Sequence, residues 1–160
     1  MAETHTQEQV TGIAQQRNVW VTGGVSGLFG GVAMGVLLQM MMTPVITTAI
    51  PAMYGTNGLV AGWIIHLFNS VVFGLAFAGA VVYLPGLSDY ADRVTTSTGL
   101  GVAYGVLLWI GAAAIVMPIW LGAVGFPNAP PLPNFNPMSL VGHVVFGAIL
   151  GALFPALGNR

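Results

Sequence analysis

Four stretches of this chain are each apolar for long enough to cross a bilayer, and nothing else in the sequence restricts the fold as strongly. They lie at 21–43, 59–84, 98–121 and 139–157. A membrane-spanning helix needs about 20 apolar residues, and in lipid every backbone N–H and C=O must be paired within the segment or a closed barrel. The runs therefore read as transmembrane helices of an all-α integral membrane protein. Composition agrees: 4% of residues are charged and the mean hydropathy is +0.85, whereas soluble domains carry about 25% charged residues. The polar residues 1–20 include no basic stretch leading into a short apolar core, so they do not read as a cleaved signal peptide.

Very few residues set the topology. The arginines are Arg17, Arg93 and Arg160, and there is no lysine. With four spans all three arginines fall on one side, which the positive-inside rule makes cytoplasmic. Glu3, Glu8, Asp89 and Asp92 fall there too, leaving the outer side without a charged residue. Trp20, Tyr83 and Tyr90 sit near the inner ends and Trp63 and Trp120 near the outer ends, as interfacial aromatics do. The expectation is an up-down-up-down bundle in the cell membrane, with both termini cytoplasmic.

The chain also repeats itself. GWIIHLFNSVVFGLAF (62–77) and LVGHVVFGAILGALF (140–154) align with His66 over His143, Gly74 over Gly151 and Phe77 over Phe154, an offset of 77. Upstream, Val32-Ala-Met-Gly-Val-Leu-Leu38 matches Val102-Ala-Tyr-Gly-Val-Leu-Leu108 at an offset of 70, differing only at Met34/Tyr104. Two rare histidines in the same order make this a duplicated two-helix unit. The organisation is then a polar tail (1–20), a first hairpin (21–84), a cytoplasmic loop (85–97) and a second hairpin (98–160). Parallel repeats are related by an axis along the membrane normal. Neighbouring helix axes 8–10 Å apart place the second and fourth helices on a diagonal of roughly 11–14 Å, so the two imidazoles can face each other across it. Glycines at four-residue spacing (Gly27, Gly31, Gly35; Gly101, Gly105; Gly147, Gly151) let helix backbones approach closely.

Several chemistries suit these residues. Two imidazoles from facing helices can ligate a b-type haem, although the outer side lacks any cation for its propionates. Imidazole with the thioethers of Met40, Met41 and Met42 suits Cu(I). Alternatively each imidazole braces a neighbouring helix through Gln39, Asn69, Ser70 or a backbone carbonyl, or meets a quinone or lipid headgroup. His66, Asn69 and Ser70 share one helical face. Zero cysteines exclude disulfides and a thiolate nucleophile. No acidic residue lies in a span, which argues against a carboxylate-coupled transporter, and no nucleophile elbow, P-loop or zinc-protease motif is present. The outer loops 43–58 and 124–139 are uncharged and apolar, the second holding five of the ten prolines. Such loops more often lie on the membrane or against a protein partner than against water.

PIWLGAVGFPNAPPLPNFNPMSLVGHVVFG (118–147), with AIPAMYG and GWIIHLFNSVVFG, resembles small uncharacterised four-helix membrane proteins of halophilic archaea. Some of these carry the label "histidine kinase", but this chain has no phosphoacceptor helix and no ATP-binding glycine boxes. The resemblance implies association with respiratory machinery such as haem–copper oxidases, and it supplies no catalytic residue. The expected role is an accessory or structural subunit of a larger membrane complex of the respiratory chain, not an enzyme. The alternatives are an electron-transporting b-type cytochrome ligated by His66 and His143, and a small channel or carrier. Nothing points to nucleic acid.

Overall fold

In the computed structural model the chain is described over residues 2–158, with side chains from 18 onward. Arg17, Arg160, Glu3, Glu8 and His5, part of the topology argument or of the histidine count, lie outside those described side chains. No strand occurs among the described residues. Four helices are long and apolar enough to cross a membrane: Asn18–Met41 within the helix Ala2–Met41, Leu59–Tyr83, Val94–Ala123 and Pro137–Gly158. They are spans 1 to 4 below. Span 3 begins at Val94 rather than 98 because hydroxyls in its first turn bond back to the chain. Thr96 Oγ1 donates to Arg93 O (3.2 Å) and Thr98 Oγ1 to Val94 O (2.6 Å), so these two hydroxyls enter the helix with partners, whereas Ser97 Oγ between them is buried without one.

Both hairpins handle a proline in the same way at the end where the long loops lie. A proline in a helix has no N–H to give to the carbonyl four residues back. Before Pro51 the helix widens into a π segment, Val45–Ala49, with Ile50 N–H bonded to Val45 O. Before Pro118 it widens over Trp109–Val116, with Met117 N–H bonded to Ala112 O. The carbonyls that the prolines cannot serve are Thr47 O and Ala114 O. Each receives an N–H from the returning loop, Gly58 to Thr47 O (2.9 Å) and Asn134 to Ala114 O (2.9 Å). π segments usually mark a local constraint; here the constraint is a carbonyl freed for a loop to dock on.

The two long loops nevertheless end up differently. In 43–58, Ile46, Ala49, Ile50 and Pro51 are buried, and Ile46 O lies directly over the bare backbone of Gly62. That loop is a cap on its own bundle, with these four residues packed inward and Tyr54 left 44% exposed. In the second loop Leu132 stays exposed, while the Phe135 ring lies tilted against Trp109 (5.4 Å between centroids) and Trp109 Nε1–H donates to Asn136 O (3.1 Å).

Within each hairpin the helices pack antiparallel through matched small residues. Gly27 meets Gly74, and Gly31 meets Ser70; in the second hairpin Ser97 meets Gly151, and Gly101 meets Gly147. Gly35 lies against His66 and Gly105 against His143. Under the offsets of 70 and 77 these pairs correspond one to one, so the duplication holds in three dimensions. A Cβ on Gly74 would stand 2.8 Å from Gly27 Cα, and one on Gly101 2.8 Å from Gly151 Cα.

Between hairpins the symmetry fails. Span 1 packs closely on span 4, where a Cβ on Gly30 would stand 2.7 Å from Phe146 O. Spans 2 and 3 make almost no close backbone approach. They touch through Tyr104, whose hydroxyl donates to Phe73 O (2.8 Å) and whose ring lies 5.3 Å from Phe77. Phe77 in turn meets Phe154 edge-on at 5.2 Å.

Candidate functional site: a cavity between the hairpins

The open seam between spans 2 and 3 leaves a cavity of about 180 Å³. All four spans and the first cap contribute to its wall, and both duplicated histidines line it. So do Asn69 and Ser70, placed on the face of His66 by helical spacing, and Ser139, one turn before His143. Its remaining wall is apolar, including Leu38, Phe73, Leu108 and Phe146. At the capped end Tyr54 lies against Trp120, with 5.3 Å between ring centroids.

The histidines are equivalent in sequence but not in bonding. His66 Nε2–H donates to Gly31 O on span 1 (2.9 Å), a buried bond between helices. His143 Nδ1–H donates to Ser139 O (2.8 Å), one turn back in its own helix. A neutral imidazole that donates through one nitrogen accepts through the other. The uncommitted acceptors are therefore Nδ1 of His66 and Nε2 of His143. Among the described residues, the side-chain polar atoms that are sealed off and unpartnered are Ser26 Oγ and Ser97 Oγ. Neither imidazole nitrogen is among them, consistent with both facing the cavity.

The neighbouring polar groups are already partly committed. Ser70 Oγ donates to His66 O (2.7 Å), and Asn69 Oδ1 accepts from Tyr54 O–H (3.0 Å), which leaves the Asn69 amide N–H groups free. Gln39, a candidate brace for the histidine, instead accepts from Trp63 Nε1–H (2.8 Å), and the Trp63 ring stands edge-on to His66. The partner of His66 on span 1 is a backbone carbonyl and not Gln39.

The methionine triplet does not join the site. Met40 and Met41 are 77% and 54% exposed, and Met42 is half-buried against the core. Consecutive helical residues diverge by about 100°, and none of the three lines the cavity. The thioethers on the cavity wall are those of Met34, Met53 and Met117. Sequence reading missed them, along with Tyr54, Ser139 and Tyr104. One signal was available, because Met34/Tyr104 is the single mismatch in the repeated heptapeptide.

For His66 to present Nε2 to a haem iron it would have to give up its bond to Gly31 O. No cluster of three or more His, Cys, Asp or Glu side chains occurs among the described residues.

Four membrane-length helices, paired as two alike hairpins around an internal cavity, define a small helical bundle of the membrane-embedded class. The chain belongs to a family of unknown function, DUF6789, which matches residues 17–160. No curated protein and no solved structure matches it.

Proposed function

We propose that this protein is a membrane-embedded binding module that holds a small amphipathic molecule between its hairpins. One observation carries this reading: both histidines of the duplication, from different hairpins, converge on one mostly apolar cavity with a few polar groups. A largely apolar concavity with a small number of fixed polar groups is the usual form of a small-molecule site, and helix bundles commonly place it between helices. The proposed setting is an up-down-up-down bundle in the cell membrane with both termini cytoplasmic, which puts the cavity in the outer leaflet. The seam between spans 2 and 3 is its entrance from lipid. Native mass spectrometry of the protein released from its own membranes tests this. The expected spectrum contains a non-covalent adduct that is lost when Ala112, on the cavity wall, is replaced in Ala112→Trp. The bare chain mass in both proteins would sink the proposal.

A second reading, accessory subunit of a larger membrane complex, draws support from the loop 124–139. It leaves Val124, Leu132 and Phe135 exposed, available to a neighbouring subunit. Its respiratory assignment rests on the family resemblance alone. A stoichiometric partner retained in mild detergent and lost in Leu132→Ser would favour it, and the two readings are compatible in one complex.

A further inference from the structure

We infer that the ligand of this cavity presents a single six-membered ring carrying hydroxyl groups, of the phenol or hydroquinone class, with an apolar tail. The inference rests on the binding-module reading and adds the chemistry of the ligand.

Size comes first. A dry cavity of about 150 Å³ takes one benzene, and the space here is about 180 Å³. That is one ring with small substituents. It is far more room than a bare ion needs, and less than a fused polycycle needs. The tail has one way out, since spans 1 and 4 close against each other through Gly30 while spans 2 and 3 do not approach.

Polarity comes second. The two imidazoles each donate to a carbonyl, His66 to Gly31 O and His143 to Ser139 O. What they offer the cavity is two acceptors on opposite hairpins. Ser70 spends its hydrogen on His66 O and offers its lone pairs as well. A ligand that brought only carbonyl or ether oxygens would set acceptor against acceptor at both rings. A ligand with hydroxyls donates to them, and Asn69, whose Oδ1 is held by Tyr54, can donate its amide N–H to a hydroxyl oxygen. Buried polar groups left unpartnered are costly, so this donor–acceptor pattern selects between ligands of equal size and shape.

The test is equilibrium dialysis of trimethylhydroquinone and of its dimethyl ether, under reducing conditions, against the intact protein in detergent. The pair shares a ring; the ether lacks the two donors and carries a methyl group at each oxygen, and His143→Leu separates the two differences because it removes an acceptor without narrowing the cavity. The expected result is that the hydroquinone binds at least about tenfold more tightly than the ether, the worth of one good hydrogen bond. In His143→Leu the preference should fall to about twofold or less while the ether's affinity holds. That variant loses only a bond within its own helix, so it is expected to fold. Equal affinity of the two probes for the wild-type protein would overturn the hydroxyl assignment and leave the binding-module reading standing. An undiminished preference in His143→Leu would overturn it too, by removing His143 as an acceptor. Failure of both probes to bind a folded protein would count against both readings.

Discussion

Span 1 lies close against span 4, whereas span 3, its counterpart in the second hairpin, stands off from span 2. The two seams descend from one repeat, so the residues that differ between them explain why only one closed. At the closed seam Gly30 sits on the backbone of Phe146. The corresponding positions across the open seam are Leu100 and Asn69. A leucine cannot let two backbones meet where a glycine can, since close approach in lipid depends on small residues. One turn further on, Met34 of span 1 is replaced by Tyr104, which reaches across to Phe73 O and holds spans 2 and 3 at a side chain's length. A symmetric pair of hairpins needs only these changes to become asymmetric, and the asymmetry is what makes the cavity.

Copying the open seam into the closed one gives the largest expected effect. Gly30→Leu puts a branched side chain where even a Cβ would stand 2.7 Å from Phe146 O. Overpacking of this kind costs about 1–3 kcal/mol and sometimes more, and the obstacle here is backbone, which gives little. The expected loss is about 3 kcal/mol in SDS unfolding from mixed micelles. Wild-type stability in that variant would break the account of the closed seam.

The reverse exchange is milder. Tyr104→Met places the first hairpin's residue in the second and removes both the bond to Phe73 O and the ring contact with Phe77. One hydrogen bond and one aromatic pair are together worth about 1–2 kcal/mol. A cycle with Phe77→Leu separates the two contributions. Coupling near zero would mean that Tyr104 acts through its hydroxyl alone.

The histidines sharpen the comparison further, because the same residue type does different work in the two copies. His66 ties span 2 to span 1, and His143 is tied to its own first turn. His66→Leu should therefore cost about 1 kcal/mol and His143→Leu under about 0.5 kcal/mol, in keeping with inter-helix polar bonds that average about 0.6 kcal/mol in membranes. Equal losses would mean that neither bond distinguishes the copies.

How far the sequence carried depends on the kind of interaction. The four spans were legible because apolar run length is a property of the chain alone, and their ends shifted by a few residues, at span 3 where Thr96 and Thr98 bond back and at span 4 where Asn136 Oδ1 accepts from Met138 and Ser139 N–H. The glycine spacing pointed to close helix packing, but which residues meet, Gly27 with Gly74 and Gly101 with Gly147, came only from the packed hairpins. His66, His143, Asn69 and Ser70 were found because polar residues are rare in such runs. Met34, Met53 and Met117 were hidden among other apolar residues, and an apolar side chain joins a cavity only through the packing of helices distant in sequence. The triplet Met40–Met42 stood out in the sequence, yet none of the three lines the cavity. The proline device was also unreadable in advance, since Thr47 O and Ala114 O become partners for Gly58 and Asn134 only once the loops return.

The smallest effect concerns the caps. Both loops dock on a carbonyl that a proline has freed, but only the first closes over the cavity, through Tyr54 O–H to Asn69 Oδ1 and the Tyr54–Trp120 contact. Tyr54→Phe keeps the ring contact and removes the hydroxyl, and a single exposed bond of this sort is worth about 0.5 kcal/mol. Global stability should hardly move, while local opening of the cap, which hydrogen exchange reads directly, should rise about twofold across 45–58. Amides of 124–136 are an internal control, because their anchors are Trp109 and Ala114 rather than Tyr54. Faster exchange in both loops would mean that the caps open as one unit and that the independence of the two hairpins ends at the membrane surface. Faster exchange in the first loop alone would make Tyr54 the latch on the cavity, with Asn69 freed to turn its whole amide toward a ligand whenever the latch lifts.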